Sequence, residues 1–370
     1  MKITHITTVH HPFDNRIFNK ECVSLAEKGY EVVLIATHGQ DEVIKGVQIR
    51  SLKKPKSRIS RIFFTTFNAY KLALNEDADI FHFHDPELIP AAWLMVIRGK
   101  KVVYDVHEDY VASIKQKNYL PRPISILIAS LFGIFEKLLS KSFYIVLAEK
   151  YYRKRFPVGH CILNYPRKML VSSLTGQVQS RKLQVLYTGN ITRDRGAFQH
   201  ARVVDYLDDI AVYLVGFCSK FLVDELFAMV KGKDRLHIIG IDRFVPFDEI
   251  VSYYNRGNWT AGLALFPSTP HYVNKELTKF FEYMAAGIPI LCSEFTVWKK
   301  IIEETELGLT TDPDDGDAIA KNIIYLYNNK DKAKQMGIYG KEKVVSEFNW
   351  EKEADKLEQL YKDILSDEVL

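Results

Sequence analysis

Several marks of large protein classes are missing from this chain. It has four cysteines in 370 residues, Cys22, Cys161, Cys218 and Cys292. They are scattered and form no CxxC pair, so neither a disulfide framework nor a thiolate zinc site is expected. Neither sign of charge dominates: 50 basic residues face 46 acidic ones, for a net charge of +4. That balance argues against a nucleic-acid binder, while leaving room for local basic patches. The most apolar stretch, Ile124 to Phe135, is shorter than the roughly 20 residues a bilayer span needs. The opening MKITHITTVHHPF lacks the apolar core of a signal peptide, so a reducing, cytoplasmic location is expected. There is no short repeat and no low-complexity tract. Neither a Walker loop nor a GxGxxG fingerprint occurs.

What is present is ordinary in bulk and organised in detail. Hydrophobic residues make up 47% and charged residues 26%, values usual for a soluble globular protein. At 370 residues, two domains are the default. Short apolar runs at Ile3–Val9, Glu31–Ala36, Ile80–Phe83, Lys101–Asp105 and Tyr144–Ala148 predict buried strands. Helical patterns at Arg16–Lys28, Arg61–Leu74, Pro86–Ile97 and Ile124–Ser140 lie between them. Such alternation predicts βαβ units and a parallel sheet. The pattern restarts with strands at Leu183–Thr188, Ile210–Val215, Leu236–Ile239, Ala261–Phe266 and Pro289–Cys292. Residues Ile162 to Lys168 form a plausible hinge, followed by polar Ser172–Arg181. The expected division is 1–165, 166–348, and a C-terminal segment 349–370. Its amphipathic helix, Trp350 to Leu365, either belongs to the second domain or straps back to the first. For LPRPISILIASLFGIFEKLLSKS, around Ile124–Phe135, the plain expectation is a buried domain helix. The alternative is a helix lying on a membrane surface.

Chemistry concentrates in a few loops. In KFFEYMAAGIPIL, Lys279 to Leu291, Phe280 and Met284 share one helical side, and so do Phe281 and Ala285. Gly287 fits a helix stop, and Pro289 opens the next strand. Lys279 and Glu282, spaced i, i+3, form either a surface salt bridge or a ligand pair. A carboxylate there is a poor phosphate ligand but a good acceptor for paired sugar hydroxyls. Strand Leu183–Thr188 runs into GNITRDRG, Gly189 to Gly196. Gly189 permits a tight turn, and Arg193 and Arg195 offer charge-assisted bonds to a diphosphate. An arginine in a loop is more often simply solvated.

In the first half, HHPFDNRI (His10–Ile17), HFHDPE (His82–Glu87) and DVHEDY (Asp105–Tyr110) each follow a strand's carboxyl end. They should share one rim. Asp14 or Asp85 is suited to cap the next helix. His82 and His84 lie on one strand face, but no third ligand has supporting spacing, so no metal is expected. The run SLKKPKSRISR, Ser51 to Arg61, carries Lys53, Lys54, Lys56, Arg58 and Arg61 ahead of apolar RIFFTTFNAY. Most such runs are solvated faces; here anionic lipid headgroups or a lipid-linked pyrophosphate are the alternative.

Together these pieces resemble the retaining glycosyltransferases of family 4, along essentially the whole chain. KFFEYMAAGIPI is similar to the family's signature helix and strand, and Gly189 to Gly196 to its phosphate loop. HDPELIP, YDVHEDY and HHPFDNRIFNKECVSLAEKGYEV are similar to a bacterial branch acting in capsule, exopolysaccharide or O-antigen assembly. The resemblance implies the GT-B fold, two α/β Rossmann-like domains with parallel sheets facing across a cleft. The C-terminal domain would hold a nucleotide-diphosphate sugar and the N-terminal one a glycan or lipid-linked acceptor. The last helix would cross back to the first domain. By motif, Glu282 should hold the ribose hydroxyls, Arg195 the diphosphate, and His107 the donor sugar. Lys279 belongs near the phosphates or sugar. Arg16, His84, Asp85 and Glu108 are candidates for contacts to acceptor or donor.

The chain departs from the wider family in places. A signature with two glutamates separated by seven intervening residues would put the first at Asn274; Glu276 is a nearby substitute. A Gly-Gly loop after the first strand is replaced by His10 to Arg16, so Arg16 takes that part by side chain. Where many relatives carry an arginine stands Asn190, with Arg193 close by to compensate. The implied activity is metal-independent transfer of a glycosyl group with retention, without cofactor. The protein would be cytoplasmic, with peripheral attachment to the inner membrane face. Competing readings are a nucleotide-sugar epimerase of the same architecture and a non-catalytic sugar-nucleotide-binding assembly protein. Base, sugar and acceptor stay open.

Overall fold

The computed structural model describes residues 1–115, 121–173, 183–257 and 259–366. Most of the polar stretch Ser172–Arg181 lies outside them. The chain folds as two units, Met1–Asn164 with Trp350–Leu370, and Tyr165–Asn349. Both are α/β.

The first unit is built on eight strands: β1 (Lys2–Ile6), β2 (Glu31–Thr37), β3 (Glu42–Ile44), β4 (Val47–Leu52), β5 (Ile80–Phe83), β6 (Lys101–Val106), β7 (Tyr144–Leu147) and β8 (His160–Cys161). Their order is β3-β4-β2-β1-β5-β6-β7-β8. All pairs are parallel except the β3–β4 hairpin. Strand order reverses between β1 and β5, the place where doubly wound sheets open a crevice. Alternate residues feed opposite faces: Phe81 and Val102 enter one core, Ile80 and Val103 the other. The second core is closed by the helix Trp350–Leu365, whose Trp350, Leu357, Tyr361 and Ile364 are fully buried. Trp350 Nε1 donates to Lys20 O at 3.0 Å, and Glu353 accepts from Leu163 N at 2.8 Å. The last helix therefore belongs to the first unit.

The β3–β4 hairpin escaped the sequence reading. It turns through Lys45 (φ 50°) and Gly46 (φ 80°), two left-handed residues between short, half-polar strands.

Helix Arg122–Leu139 corrects the expectation of a buried domain helix. It buries only Ser125, Ala129 and Glu136. Ile124, Ile126, Leu127, Ile128, Leu131, Ile134, Phe135 and Leu138 are exposed. With its continuation to Ser142 it is also long and apolar enough to cross a membrane. Yet Glu136 is fixed inward, accepting from Tyr104 OH at 2.7 Å and paired with Arg155. The polar and small side faces the protein, and the apolar side faces out.

The second unit carries β9 (Leu183–Thr188), β10 (Ile210–Cys218), β11 (Leu236–Ile241), β12 (Ala261–Ala264), β13 (Ile290–Ser293) and β14 (Gly308–Thr311). The order is β11-β10-β9-β12-β13-β14, all parallel. Here the reversal lies between β9 and β12. Helix Thr278–Ala286 buries Phe280, Phe281, Met284 and Ala285 and stops at left-handed Gly287.

Candidate active site

In the second unit the reversal point gathers cations. Gly189 follows β9 with φ 105°, a backbone that side chains resist. A Cβ placed on it would lie 3.9 Å from Lys279 Nζ and 4.0 Å from Arg195 Nη1. A strand end, an ammonium and a guanidinium thus meet at one spot. Arg195 is steered there by Tyr272, whose hydroxyl accepts from Nε at 3.0 Å. Its neighbour Gly196, φ 75°, lies against the end of β12: a Cβ there would fall 1.9 Å from Leu265 O. His200 Nε2 accepts from Leu265 N at 2.9 Å and holds the same contact from below.

Lys279 is 8% exposed, and among the described residues its Nζ has no hydrogen-bond partner. The ammonium lies 3.5 Å from the Tyr187 ring centre and 4.9 Å from that of Phe266. Burial, then the charge of Arg195, pushes Lys279 well below the usual lysine range; Glu282 acts in the opposite sense. Three residues on, Glu282 accepts from Tyr254 OH at 2.8 Å, and Tyr254 pairs with Thr188 Oγ1 at 2.8 Å. The i, i+3 salt bridge between Lys279 and Glu282 does not form. Lys279 instead reaches Gly189 at the end of β9, and Glu282 is linked to Thr188 through Tyr254.

The first unit gathers histidines and carboxylates at its own reversal point. Asp85, fully buried, accepts from Thr7 Oγ1 (2.8 Å), Thr8 N (2.6 Å), Val9 N (3.2 Å) and His10 Nδ1 (2.9 Å). Burial works against ionisation of Asp85, but His10 and these donors hold its carboxyl well below the usual range. Burial also opposes charge on His10, and Asp85 outweighs it, raising His10 to about 9. His10 Nε2 and His107 Nε2 share a hydrogen bond at 3.0 Å. His107 Nδ1 lies 3.5 Å from Asp105. Arg16 grips Asp105 with two bonds, 2.8 and 2.9 Å, and donates to Ile162 O at 3.0 Å. Burial would raise Asp105, but Arg16 and the histidines hold it well below the usual range. Deeper still, His5, Glu21, His82 and His84 bring donor atoms within 4.8 Å of one another, and His84, Asp105 and His107 form a second such group.

Two family models match the chain. Glycosyltransferase family 4 matches residues 21–148, and glycosyl transferases group 1 matches residues 177–343. Sucrose-phosphate synthase from Thermosynechococcus elongatus superposes with a TM-score of 0.79 at 16% identity, over 99% of each chain. HepE from Anabaena, solved with UDP-glucose, gives 0.74 at 11% identity, over 98% of this chain and 100% of its own. WaaG, a glycosyltransferase of lipopolysaccharide biosynthesis, gives 0.68 at 13% identity, over 95% and 98%. No curated protein matches the sequence. The chain is a glycosyltransferase of the GT-B superfamily.

Of the residues singled out in this glycosyltransferase, Gly189, Arg195, Lys279 and Glu282 come together. Arg193 does not join them: it pairs with Glu225 and lies over the Phe198 ring at 4.9 Å. Asn274 and Glu276 stand half-buried on the loop before helix Thr278–Ala286, which Trp298 Nε1 pins through Lys275 O at 2.6 Å. Arg16, His84 and Asp85, candidates for contacts to acceptor or donor, lie beneath the rim. All three are buried and engaged within their own unit, so they position the rim from inside. Asp14, not Asp85, caps a helix, accepting from Arg16 N and Ile17 N. Glu108 is exposed and lines a cavity of about 280 Å³ with Lys137, Tyr152 and Arg155. Arg61 is taken by Glu87 at 2.9 Å, leaving Lys53, Lys54, Lys56 and Arg58 as the exposed basic group. Tyr187, Tyr254 and Tyr272 were not legible in the sequence, since each comes from a separate element.

Proposed function

We propose that this glycosyltransferase moves a sugar from a nucleoside diphosphate to a glycan or lipid-linked acceptor, with retained anomeric configuration, in bacterial surface polysaccharide assembly. The observation that carries the reading is the meeting of Lys279 Nζ and Arg195 Nη1 at Gly189. A buried ammonium without a hydrogen-bond partner is costly, and a diphosphate oxygen would complete it. Glu282, fixed by Tyr254, would take the ribose hydroxyls. That HepE was solved with UDP-glucose supports a nucleotide-sugar donor.

In the reaction the anomeric carbon loses its bond to the β-phosphate oxygen and gains one to the acceptor oxygen. The acceptor proton passes to the departing phosphate on the same face. Arg195, Lys279 and the backbone at Gly189 stabilise the charge that develops there, so no divalent metal is needed at this site. His107, oriented by His10 and Asp105, would line the sugar pocket.

We further assign the exposed apolar side of helix Arg122–Leu139 to a membrane surface. Packed beside it, helix Ile89–Ile97 exposes Trp93, Leu94 and Ile97, and helix Thr66–Asn75 with the turns before it exposes Ile59, Phe63, Phe64 and Phe67. Exposed Lys53, Lys54, Lys56 and Arg58 adjoin these residues in sequence and suit anionic headgroups. Such docking would bring a lipid-linked acceptor to the enzyme.

Turnover tests the activity. Purified protein with nucleotide sugars and bacterial lipid-linked acceptors should release a nucleoside diphosphate only when acceptor is present. Proton NMR of the product should show the donor's anomeric configuration. Absence of release across donors and acceptors, or an inverted product, would count against the reading.

A further inference from the structure

Below the rim of the first unit lies a group of side chains that the transfer reaction does not use. His5 from β1, Glu21 from the helix beginning at Asn15, His82 from β5 and His84 just after it are all buried. Their ligand atoms lie within 4.8 Å of one another. His5 Nδ1 is 3.1 Å from His84 Nε2, and Glu21 Oε2 lies 3.6 Å from the first and 3.7 Å from the second.

These separations discriminate between occupants. A shared proton accounts for the 3.1 Å hydrogen bond between His5 and His84, but Glu21 Oε2, at 3.6 and 3.7 Å, is too far from either ring for one. A bridging water with bonds near 2.8 Å would push its partners apart to roughly 4.5 Å. A tetrahedral ion bound at about 2.0–2.1 Å sets its ligands about 3.4 Å apart, in the middle of the observed range.

The outer contacts fit as well. His84 Nδ1 faces Asp105 Oδ2 at 3.2 Å, and His82 Nδ1 faces Tyr361 OH at 2.6 Å. A carboxylate or hydroxyl behind the far nitrogen is how ligating histidines are oriented. Arg16 Nε lies between two carboxylates, 2.8 Å from Asp105 Oδ2 and 3.1 Å from Glu21 Oε1, and Glu21 Oε2 faces the histidines. Among the described residues, neither Glu21 Oε2 nor His82 Nε2 has a hydrogen-bond partner.

We propose that His5, His84, Glu21 and His82 bind one transition-metal ion, with zinc the best match to three imidazoles and a carboxylate. Four protein ligands close the site, so the ion is structural and separate from donor binding. It joins β1, β5 and the helix carrying Glu21. Through Tyr361 it also reaches the C-terminal helix.

The test is metal content of the full chain, expressed with zinc supplied and freed of any affinity tag. Plasma mass spectrometry should find about one zinc per chain. Stripping under mild denaturation and refolding without metal should lower the melting midpoint by more than about 3 °C, and added Zn²⁺ should restore it. Co²⁺ in its place should give the visible bands of a tetrahedral site, lost in His82→Ala and kept in the distant control His237→Ala. If the His82 variant fails to fold, the wild-type metal content and Co²⁺ spectrum decide. Zinc below about one tenth per chain, with no thermal response to Zn²⁺ or Co²⁺, would overturn the proposal.

Discussion

Lys279 Nζ stands 3.5 Å from the centre of the Tyr187 ring, with no hydrogen-bond partner among the described residues. Its folded pKa is depressed below 10.5, so the folded state binds this proton less readily than the unfolded chain does. The protonated lysine therefore costs the free enzyme stability below its folded pKa, and that cost fades as pH rises towards 10.5. A bound diphosphate reverses the shift. Nucleotide binding should take up a proton near the folded pKa and weaken as pH rises through it. Calorimetry in buffers of different ionisation enthalpy reads the uptake. Lys279→Met should abolish the uptake while stabilising the free protein by about 1–3 kcal/mol.

Tyr254 fixes the Glu282 carboxylate and is itself tied to Thr188. Tyr254→Phe keeps the ring in place and removes both bonds. Nucleotide affinity should fall about 3–10-fold, from one lost orienting hydrogen bond. The fold should survive by circular dichroism. Unchanged affinity would mean that Glu282 needs no such support.

Gly196 has no room for a side chain, since a Cβ would fall 1.9 Å from Leu265 O. Its left-handed backbone adds strain to any replacement. Gly196→Ala should destabilise the protein by about 2–4 kcal/mol and displace Arg195. Chemical denaturation measures the first effect and nucleotide titration the second.

The outward side of helix Arg122–Leu139 should hold the enzyme to anionic vesicles. Leu127→Glu with Leu131→Glu changes exposed positions only, so the fold should remain. Vesicle flotation should drop at least about tenfold, while turnover on a soluble acceptor analogue stays. Replacing Lys53, Lys54 and Lys56 by Gln should leave the apolar contact and remove much of the salt dependence.

The architecture was legible because buried parallel strands are short apolar runs, such as Leu183–Thr188. What escaped was marginal by the same physics: the polar β3–β4 hairpin and the four residues of β14, Gly308–Thr311. The gathering of Gly189, Arg195, Lys279 and Glu282 was legible as well, because they sit in two local motifs. Side-chain direction was not. Arg16, His84 and Asp85 follow strands as expected, but they turn inward towards Asp105, His5 and Thr8, partners distant in sequence. Helix Arg122–Leu139 shows the same limit. An apolar stripe reveals that a helix has a greasy side, while the direction of that side depends on where Glu136 finds Tyr104 and Arg155.

The central claim is that the second unit binds a nucleoside diphosphate through Glu282 and the cations at Gly189. The most direct measurement is calorimetric titration of the wild type and Glu282→Ala with uridine, guanosine, adenosine and cytidine diphosphates. At least one should bind the wild type, and Glu282→Ala should weaken it about 10–100-fold, as expected for losing a charge-assisted contact. If none binds the wild type, or if both proteins bind with the same Kd, the account is contradicted.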